Sequence, residues 1–260
     1  MDVYKYITKT MKIGFLIPCT SKNRNWSDFN DIYLHIITLK SFLWSYDDEH
    51  EYTFYIGIDH DDPIFTNPYI IPQFRKFLRS AKKVNIECIY FNDIPKGHLT
   101  KMWNVLCKEA YDDGCDYFFQ CGDDISFETK GWVNACIDVL QKNNNIGVTS
   151  PVCKNNQLIL TQTFVSRKHI EIFGFYFPEE IINWGCDDWM NLVYQPNYFF
   201  PLPTHLCNNL GGQPRYVIDN NKKFINQFQK NVQALRQNTR ELVDTKYKPI
   251  LNAYIRLKHL

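Results

Sequence analysis

The sequence lacks a surplus of charge of either sign. Its 29 Lys and Arg residues nearly balance 28 Asp and Glu residues over 260 positions, for a formal net charge of +1. Proteins that bind mainly nucleic acid or an anionic membrane usually carry a basic surplus. We therefore expect no nucleic acid partner. The charge balance does not exclude a local basic pocket for a phosphorylated small molecule.

Paired-cysteine motifs and long hydrophobic runs are also missing. The nine cysteines are scattered singly, which indicates neither a zinc knuckle nor a thioredoxin-type motif and favours reduced, buried thiols in a cytosolic protein. The first apolar run, at 13–17, is too short for a signal peptide or a membrane span. The sequence therefore predicts a soluble, cytoplasmic protein without a membrane span. Its abundance of Asn, Lys, Ile and Tyr is typical of an AT-rich genome, such as that of a protist or of a giant DNA virus, whose proteins work in the host cytoplasm.

Internal repeats are absent as well, and apolar strands alternate instead with amphipathic helices. Strands are predicted at 12–18, 52–59, 84–91, 116–121 and 146–150, with helices at 29–46, 73–80, 98–111 and 130–142. This alternation predicts an α/β fold of Rossmann-like type. We expect a mixed, mainly parallel central sheet flanked by helices.

The pattern changes after the fifth strand. The next elements are predicted to be an antiparallel strand at 157–165, helices at 167–173 and 184–194, and a strand at 198–202. His205 would then lie in a loop flanked by prolines. Beyond residue 214 the composition becomes polar, and an amphipathic helix is marked by Phe224, Phe228, Val232 and Leu235.

The domain organisation follows from this change of composition. We expect a main domain over 1–214 and a C-terminal helical extension over 215–260 packed on it. The alternative for the extension is a helix that binds a partner or a membrane surface, although its mixed charge disfavours a membrane.

The stretch around which the chain is organised runs from Asp116 to Phe127. Its aromatic run reads as a buried strand that stops at Gly122, Asp123 and Asp124. In open α/β sheets ligands bind at the carboxyl ends of the strands. Two adjacent carboxylates there suit Mg²⁺ or Mn²⁺, which prefer oxygen ligands and substrate phosphates. The alternative is an ordinary Gly-Asp-Asp turn.

Three acidic clusters occur where strands end or a helix begins: Asp59/Asp61/Asp62, Asp123/Asp124 and Asp187/Asp188. Together they indicate one pocket for a metal ion and a phosphorylated ligand. Lys101 and Asn104, early in the helix after Gly97, would add a cation and a hydrogen-bond donor near the phosphates.

With these motifs in order, the sequence resembles a glycosyltransferase of the GT-A fold. The order is Ile-Pro-Cys-Thr at 17–20, Gly-Ile-Asp at 57–59, Cys-Gly-Asp-Asp-Ile at 121–125 and Trp-Gly-Cys-Asp-Asp-Trp at 184–189. Within that fold it is most similar to the inverting family-2 type and to galactosyltransferase-like enzymes with a Trp-Gly-Gly-Glu-Asp motif. The resemblance covers roughly residues 12–205.

The resemblance implies a nucleotide-sugar site. Pro18, Cys19 and Thr20 would border the base and ribose, and Asp59 would accept a hydrogen bond from the base. The expected donor is a nucleotide-diphosphate sugar, with a UDP-sugar preferred. The acceptor would be a hydroxyl of a glycan, a protein or a small molecule.

The resemblance also implies a Mn²⁺ or Mg²⁺ ion. Asp123 would face the ribose or the metal, Asp124 would ligate the metal, and His205 falls where some relatives place a third ligand. For His205 an ordinary surface or core histidine is the alternative. Gly122 stands where the family often has an acid, which leaves open which carboxylate binds the metal directly.

Asp187 and Asp188 match the family's acidic pair, with Asp187 in place of Glu. The likeness implies that Asp188 is the general base of an inverting transfer; the alternative is that both acids only complement the dipole of the helix that follows. Trp184 and Trp189 would form an apolar wall for a sugar ring or belong to the core.

Three other functions share some features with this sequence. A viral-type RNA polymerase also carries Gly-Asp-Asp but needs a longer, more basic chain. A sugar nucleotidyltransferase would need a Gly-rich, basic loop after the first strand, which the sequence lacks. A GT-A module that binds sugar nucleotide without catalysis is the third, and the retained acid at Asp188 favours an active enzyme over it.

Overall fold

An eight-stranded sheet forms the centre of the computed structural model, which describes residues 9–212, 233–234 and 236–258. The strands are β1 (Lys12–Cys19), β2 (Glu51–Asp59), β3 (Val84–Phe91), β4 (Tyr117–Gln120), β5 (Ile125–Phe127), β6 (Val148–Cys153), β7 (Thr163–Ser166) and β8 (Phe199–Asn209). Their order across the sheet is β3-β2-β1-β4-β7-β6-β8-β5.

The sheet is mixed and mainly parallel. Four neighbouring pairs run parallel, namely β1 with β2, β1 with β4, β2 with β3 and β6 with β8. Three run antiparallel, and all of these involve β7 or β5. The predicted α/β class with a mixed, mainly parallel sheet is confirmed.

Helices cover both faces of the sheet. They are α1 (Lys40–Ser45), α2 (Ile70–Leu78), α3 (Leu99–Asp112), α4 (Trp132–Lys142), α5 (Arg167–Phe173), α6 (Cys186–Tyr194) and α7 (Lys248–Lys258). A π-helical segment, Leu34–Leu39, leads into α1, and another, Val243–Tyr247, leads into α7. Gly114, at φ +81°, follows the end of α3 in the left-handed conformation that favours glycine there.

Two hydrophobic cores lie on opposite faces of the sheet, since successive residues of a strand point to opposite sides. Phe15 of β1 belongs to the first core, where its ring stacks on Phe54 at 4.5 Å and meets Phe119 edge-on at 5.2 Å. Leu16, the next residue, is buried in the second core with Trp189. Because both faces are covered, β1 is apolar along most of its length, as expected of a central parallel strand.

The C-terminal segment that the structure describes packs on the second core. Residues 236–242 are helical and lead into the π-helical segment before α7. Tyr247 is buried and meets Trp189 edge-on at 5.3 Å, and Val243 and Leu251 are buried beside it. The amphipathic helix predicted around Phe224 lies mostly outside the described residues. Among the helices that are described, none combines the length and apolar character needed to cross a membrane.

The strand predicted at 157–165 is shorter in the structure, where only Thr163–Ser166 pairs with neighbours. The side chain of Asn191 replaces a strand partner for the preceding segment. Its Oδ1 accepts from the backbone N–H of Leu160 at 2.8 Å and its Nδ2 donates to the carbonyl of Leu160 at 2.8 Å. An irregular segment is held in this way without sheet pairing.

The prediction of a loop at His205 was wrong, because β8 continues through this residue to Asn209. Of the prolines that suggested a loop, Pro201 pairs with Ser150, whereas Pro203 lies where the pairing of β8 with β6 shifts register, between Leu202 (opposite Pro151) and Leu206 (opposite Val152). Such irregular positions accommodate residues without a backbone N–H. The short strand β5 was not predicted either.

Candidate active site

A cavity of about 690 Å³ opens at the carboxyl ends of β1, β2 and β4, and the start of α6 also lines it. Its lining brings together residues from each of the three acidic clusters: Asp59, Asp123, Asp124, Asp187 and Asp188. Pro18, Cys19, Thr20, Gly122 and Trp184, which the sequence also singled out, line the same cavity. These sequence motifs therefore meet at one sheet edge.

The cluster at the end of β2 divides into three different environments. Asp59 is 6% exposed and lines the cavity. Asp61 lies at the surface and pairs with Lys96 at 2.6 Å. Asp62 is buried and accepts hydrogen bonds from the backbone N–H of Ser21 at 2.6 Å and from its hydroxyl at 2.8 Å. Asp62 therefore fixes the loop after β1, and of this cluster only Asp59 lines the cavity.

Asp124 lies in the turn that joins β4 to β5 and also lines the cavity. The turn and the ligand site, which the sequence analysis gave as alternatives, therefore do not exclude each other. Its carboxylate is enclosed by two glycines. A Cβ atom on Gly122 would lie 2.4 Å from Oδ1 of Asp124, and one on Gly211 would lie 1.7 Å from Oδ2. Gly122 and Gly211 therefore both leave room for this carboxylate.

The second acidic pair lies in the first turn of α6, after Gly185 at φ +93°. There both carboxylates complement the helix dipole and also line the cavity. Burial raises the pKa of Asp187 to about 7, a hydrogen bond from the Cys186 thiol opposes that rise, and the charge of Asp188 adds to it. Asp188 is 24% exposed, and its Oδ1 lies 3.7 Å from Nε of Arg236 in the C-terminal segment.

The raised pKa of Asp187 predicts a pH-dependent stability. Its folded value of about 7 exceeds the ordinary 3.8, so the stabilising contribution of the neutral acid is complete below about pH 4 and lost as the pH rises through about 7. Asp187→Asn stays neutral at pH 8, where the wild-type carboxyl is charged, so the variant should unfold with a higher free energy there. We expect a gain on the order of 1–2 kcal/mol and not the full value of the pKa shift, because part of the carboxyl faces the open cavity. Denaturant unfolding at pH 4 and pH 8 measures this.

The control for that experiment is Asp244→Asn, at an exposed carboxylate near the C-terminus. An Asp187→Asn gain of equal size at pH 4 and pH 8 would contradict the assignment, since a titrating carboxyl must produce a difference between them.

The two tryptophans of the motif are separated. Trp184 is 43% exposed and lines the cavity, whereas Trp189 is fully buried in the second core against Phe173 and Tyr247. Trp184 is therefore the tryptophan that could contact a sugar ring in the cavity, and Trp189 anchors α6 to the second core.

Three residues singled out from the sequence are not part of the cavity lining. The side chain of Asn104 joins α3 to the segment before α6, since its Oδ1 accepts from the backbone N–H of Phe177 at 2.9 Å and its Nδ2 donates to the carbonyl of Phe177 at 2.8 Å. Lys101 lies half-buried on the same helix. His205 lies in β8, with its Nδ1 3.2 Å from the hydroxyl of Thr204.

Of the residues that the sequence predicted as metal ligands, two carboxylates that could hold a metal ion line the cavity, Asp123 and Asp124. Within the described ranges no three His, Cys, Asp or Glu side chains come together as a ready-made metal cage. This fits a Mg²⁺- or Mn²⁺-type ion, which is commonly held by one or two carboxylates and completed by substrate phosphates and water. The enclosed position of Asp124 between two glycines supports that fit.

The sequence reasoning missed two arginines of the lining, Arg24 and Arg236. Arg24 donates from Nη2 to the carbonyl of Gly211 at 2.7 Å, which ties the loop after β1 to the end of β8 beside Asp124. Its position in a polar loop after the first strand was a usable signal. Arg236 is far from the motifs in sequence, and only the packing of the C-terminal segment brings it to Asp188.

Comparison with solved structures gives a distant likeness. The chain aligns with the crystal structure of S. aureus TarS at a TM-score of 0.52 and 13% identity, over 76% of this chain and 36% of that one. The aligned part is thus about a third of TarS, and at this identity the likeness concerns the fold. No protein-family model matches the sequence, and no curated protein matches it. The α/β architecture with its C-terminal helix is compatible with a GT-A-like fold.

Proposed function

We propose that this chain is a metal-dependent glycosyltransferase that moves a sugar from a nucleotide-diphosphate sugar to an acceptor hydroxyl with inversion. One observation carries the proposal: Asp123 and Asp124 line the same cavity as Asp187 and Asp188. The cavity volume of about 690 Å³ lies in the range of small-molecule sites. The fold likeness to TarS, a glycosyltransferase, supports this class of reaction.

In this proposal the nucleotide lies at the ends of β1 and β2, where Asp59 accepts a hydrogen bond from the base. Asp123 and Asp124 would hold Mn²⁺ or Mg²⁺, which would supply positive charge to the diphosphate. Trp184 borders the sugar. Asp188, in the first turn of α6, takes the proton of the acceptor hydroxyl. The preferred donor is a UDP-sugar.

The experiment is thermal melting with and without Mn²⁺ against a panel of nucleotide-diphosphate sugars. At a ligand concentration 100 times Kd, stability rises by about 2.7 kcal/mol, which is roughly 5–10 °C in a domain of this size. We expect such a shift, dependent on Mn²⁺, with one sugar nucleotide. No shift with any of them would contradict the proposal, and a donor-hydrolysis assay would separate an active enzyme from a module that only binds.

A further inference from the structure

A second cavity, of about 420 Å³, adjoins the first on the far side of Asp188. The two cavities share Ile159, Asp188 and Arg236 as lining residues. The carboxylate of Asp188 therefore stands at their junction. This arrangement suits a group-transfer reaction, because the donor and the acceptor can occupy separate cavities that meet at one carboxylate.

The walls of this second cavity are polar and positively charged. The C-terminal segment contributes Arg236 and Arg240, together with the amides of Gln233 and Gln237. Asp188 is the one carboxylate among the described lining residues, so two guanidinium groups face a single acid. Amides suit hydroxyl groups, and guanidinium groups suit phosphate and carboxylate oxygens.

The two arginines differ in their partners. Nε of Arg236 lies 3.7 Å from Oδ1 of Asp188, beyond ordinary hydrogen-bond distance. Arg240 makes no hydrogen bond or ion pair with another described residue, and its side chain is exposed. Arg240 can thus receive an anion without giving up a salt bridge to any described residue, while Arg236 lies beside Asp188.

We propose that the second cavity binds the acceptor, and that the acceptor is an anionic saccharide whose phosphate or carboxylate is bound by Arg240 and Arg236. This rests on the proposed glycosyltransferase function. In the transfer, a bond forms between the acceptor oxygen and the anomeric carbon, and the bond from that carbon to the diphosphate breaks. The electron pair leaves with the diphosphate, and the hydroxyl proton passes to Asp188. An anion on the acceptor also draws Arg236 away from Asp188, which frees the carboxylate to take the proton.

The test is calorimetric titration of the full chain, saturated with UDP and Mn²⁺, with glucose 6-phosphate, glucuronate and glucose. We expect at least one of the two anionic sugars to bind about 10-fold or more tightly than glucose, and the pair separates a phosphate from a carboxylate preference. Arg240→Gln should remove about 10-fold of that affinity, the usual effect of losing a hydrogen bond to a charged group. Arg256→Gln, at an exposed arginine of α7, is the matched control.

The outcomes separate this inference from the proposed function. Equal or absent binding of all three sugars, in a protein that still hydrolyses a sugar nucleotide, would overturn the acceptor class and leave the transferase standing. An Arg240→Gln protein that binds the anionic sugar as tightly as Arg256→Gln would also overturn it. Tight anionic binding that is lost in Arg240→Gln, in a protein whose melting temperature no sugar nucleotide shifts, would support the anionic site and count against the transferase.

Discussion

Replacing Asp188 with Asn is expected to lower the turnover of sugar transfer by about 100-fold or more and to leave donor affinity near its normal value. An amide has nearly the shape of the carboxylate but cannot take a proton from an acceptor hydroxyl. Asp188 lines the cavity from the first turn of α6, whereas Asp123 and Asp124 line it from the turn between β4 and β5, so the metal and diphosphate region should be undisturbed. The measurement is steady-state transfer together with donor affinity from thermal melting.

Two controls sharpen this expectation. Asp244→Asn removes an exposed carboxylate that pairs with Lys248, and should change neither turnover nor affinity. The anomeric configuration of the product, read by NMR, tests the stereochemistry independently. A fully active Asp188→Asn protein would remove the residue from the general-base role, and a retained configuration would do the same, because a retaining transfer does not require that base.

The placement of the acidic clusters could be predicted because local pattern determines it. Apolar runs that stop abruptly at acids identify strand ends, and parallel strands bring those ends to one edge. This local pattern was enough to predict that Asp59, Asp123 and Asp124 lie at the same edge of the sheet. Local pattern could not separate Asp59 from Asp62, because the division depends on the loop after β1, which folds back on Asp62.

The wrong predictions have the same origin in tertiary contacts. The segment before β7 has strand-like alternation, but Asn191 of α6 satisfies its backbone instead of a neighbouring strand. The prolines of β8 suggested a loop at His205, but Pro201 pairs with Ser150 of β6, and a register shift in the same pairing accommodates Pro203. Arg236 was not predicted as a site residue, because it is distant from Asp188 in the sequence and only tertiary packing brings the two side chains together.

Replacing Asp124 with Ala is expected to abolish metal-dependent donor binding and to weaken donor affinity by at least about 100-fold. Loss of a residue that only supports a metal ligand already costs about 10–100-fold in affinity or activity, and a direct ligand should cost no less. The measurement is the melting shift produced by UDP with and without Mn²⁺. Asp61→Ala, at a surface carboxylate that pairs with Lys96, is the control and should keep the full shift.

Gly211→Ala tests the same carboxylate without removing it. The added Cβ would lie 1.7 Å from Oδ2 of Asp124, so the side chain must move. If the position of this carboxylate matters, Gly211→Ala should lose most of the Mn²⁺-dependent shift while the protein still unfolds cooperatively. If Asp124→Ala and Gly211→Ala both keep the full shift, Asp124 is not a metal ligand, and its enclosure by two glycines serves only the turn between β4 and β5. Loss of the shift in both, with the Asp61→Ala control intact, would assign the metal to this turn, because one substitution removes the Asp124 carboxylate and the other displaces it.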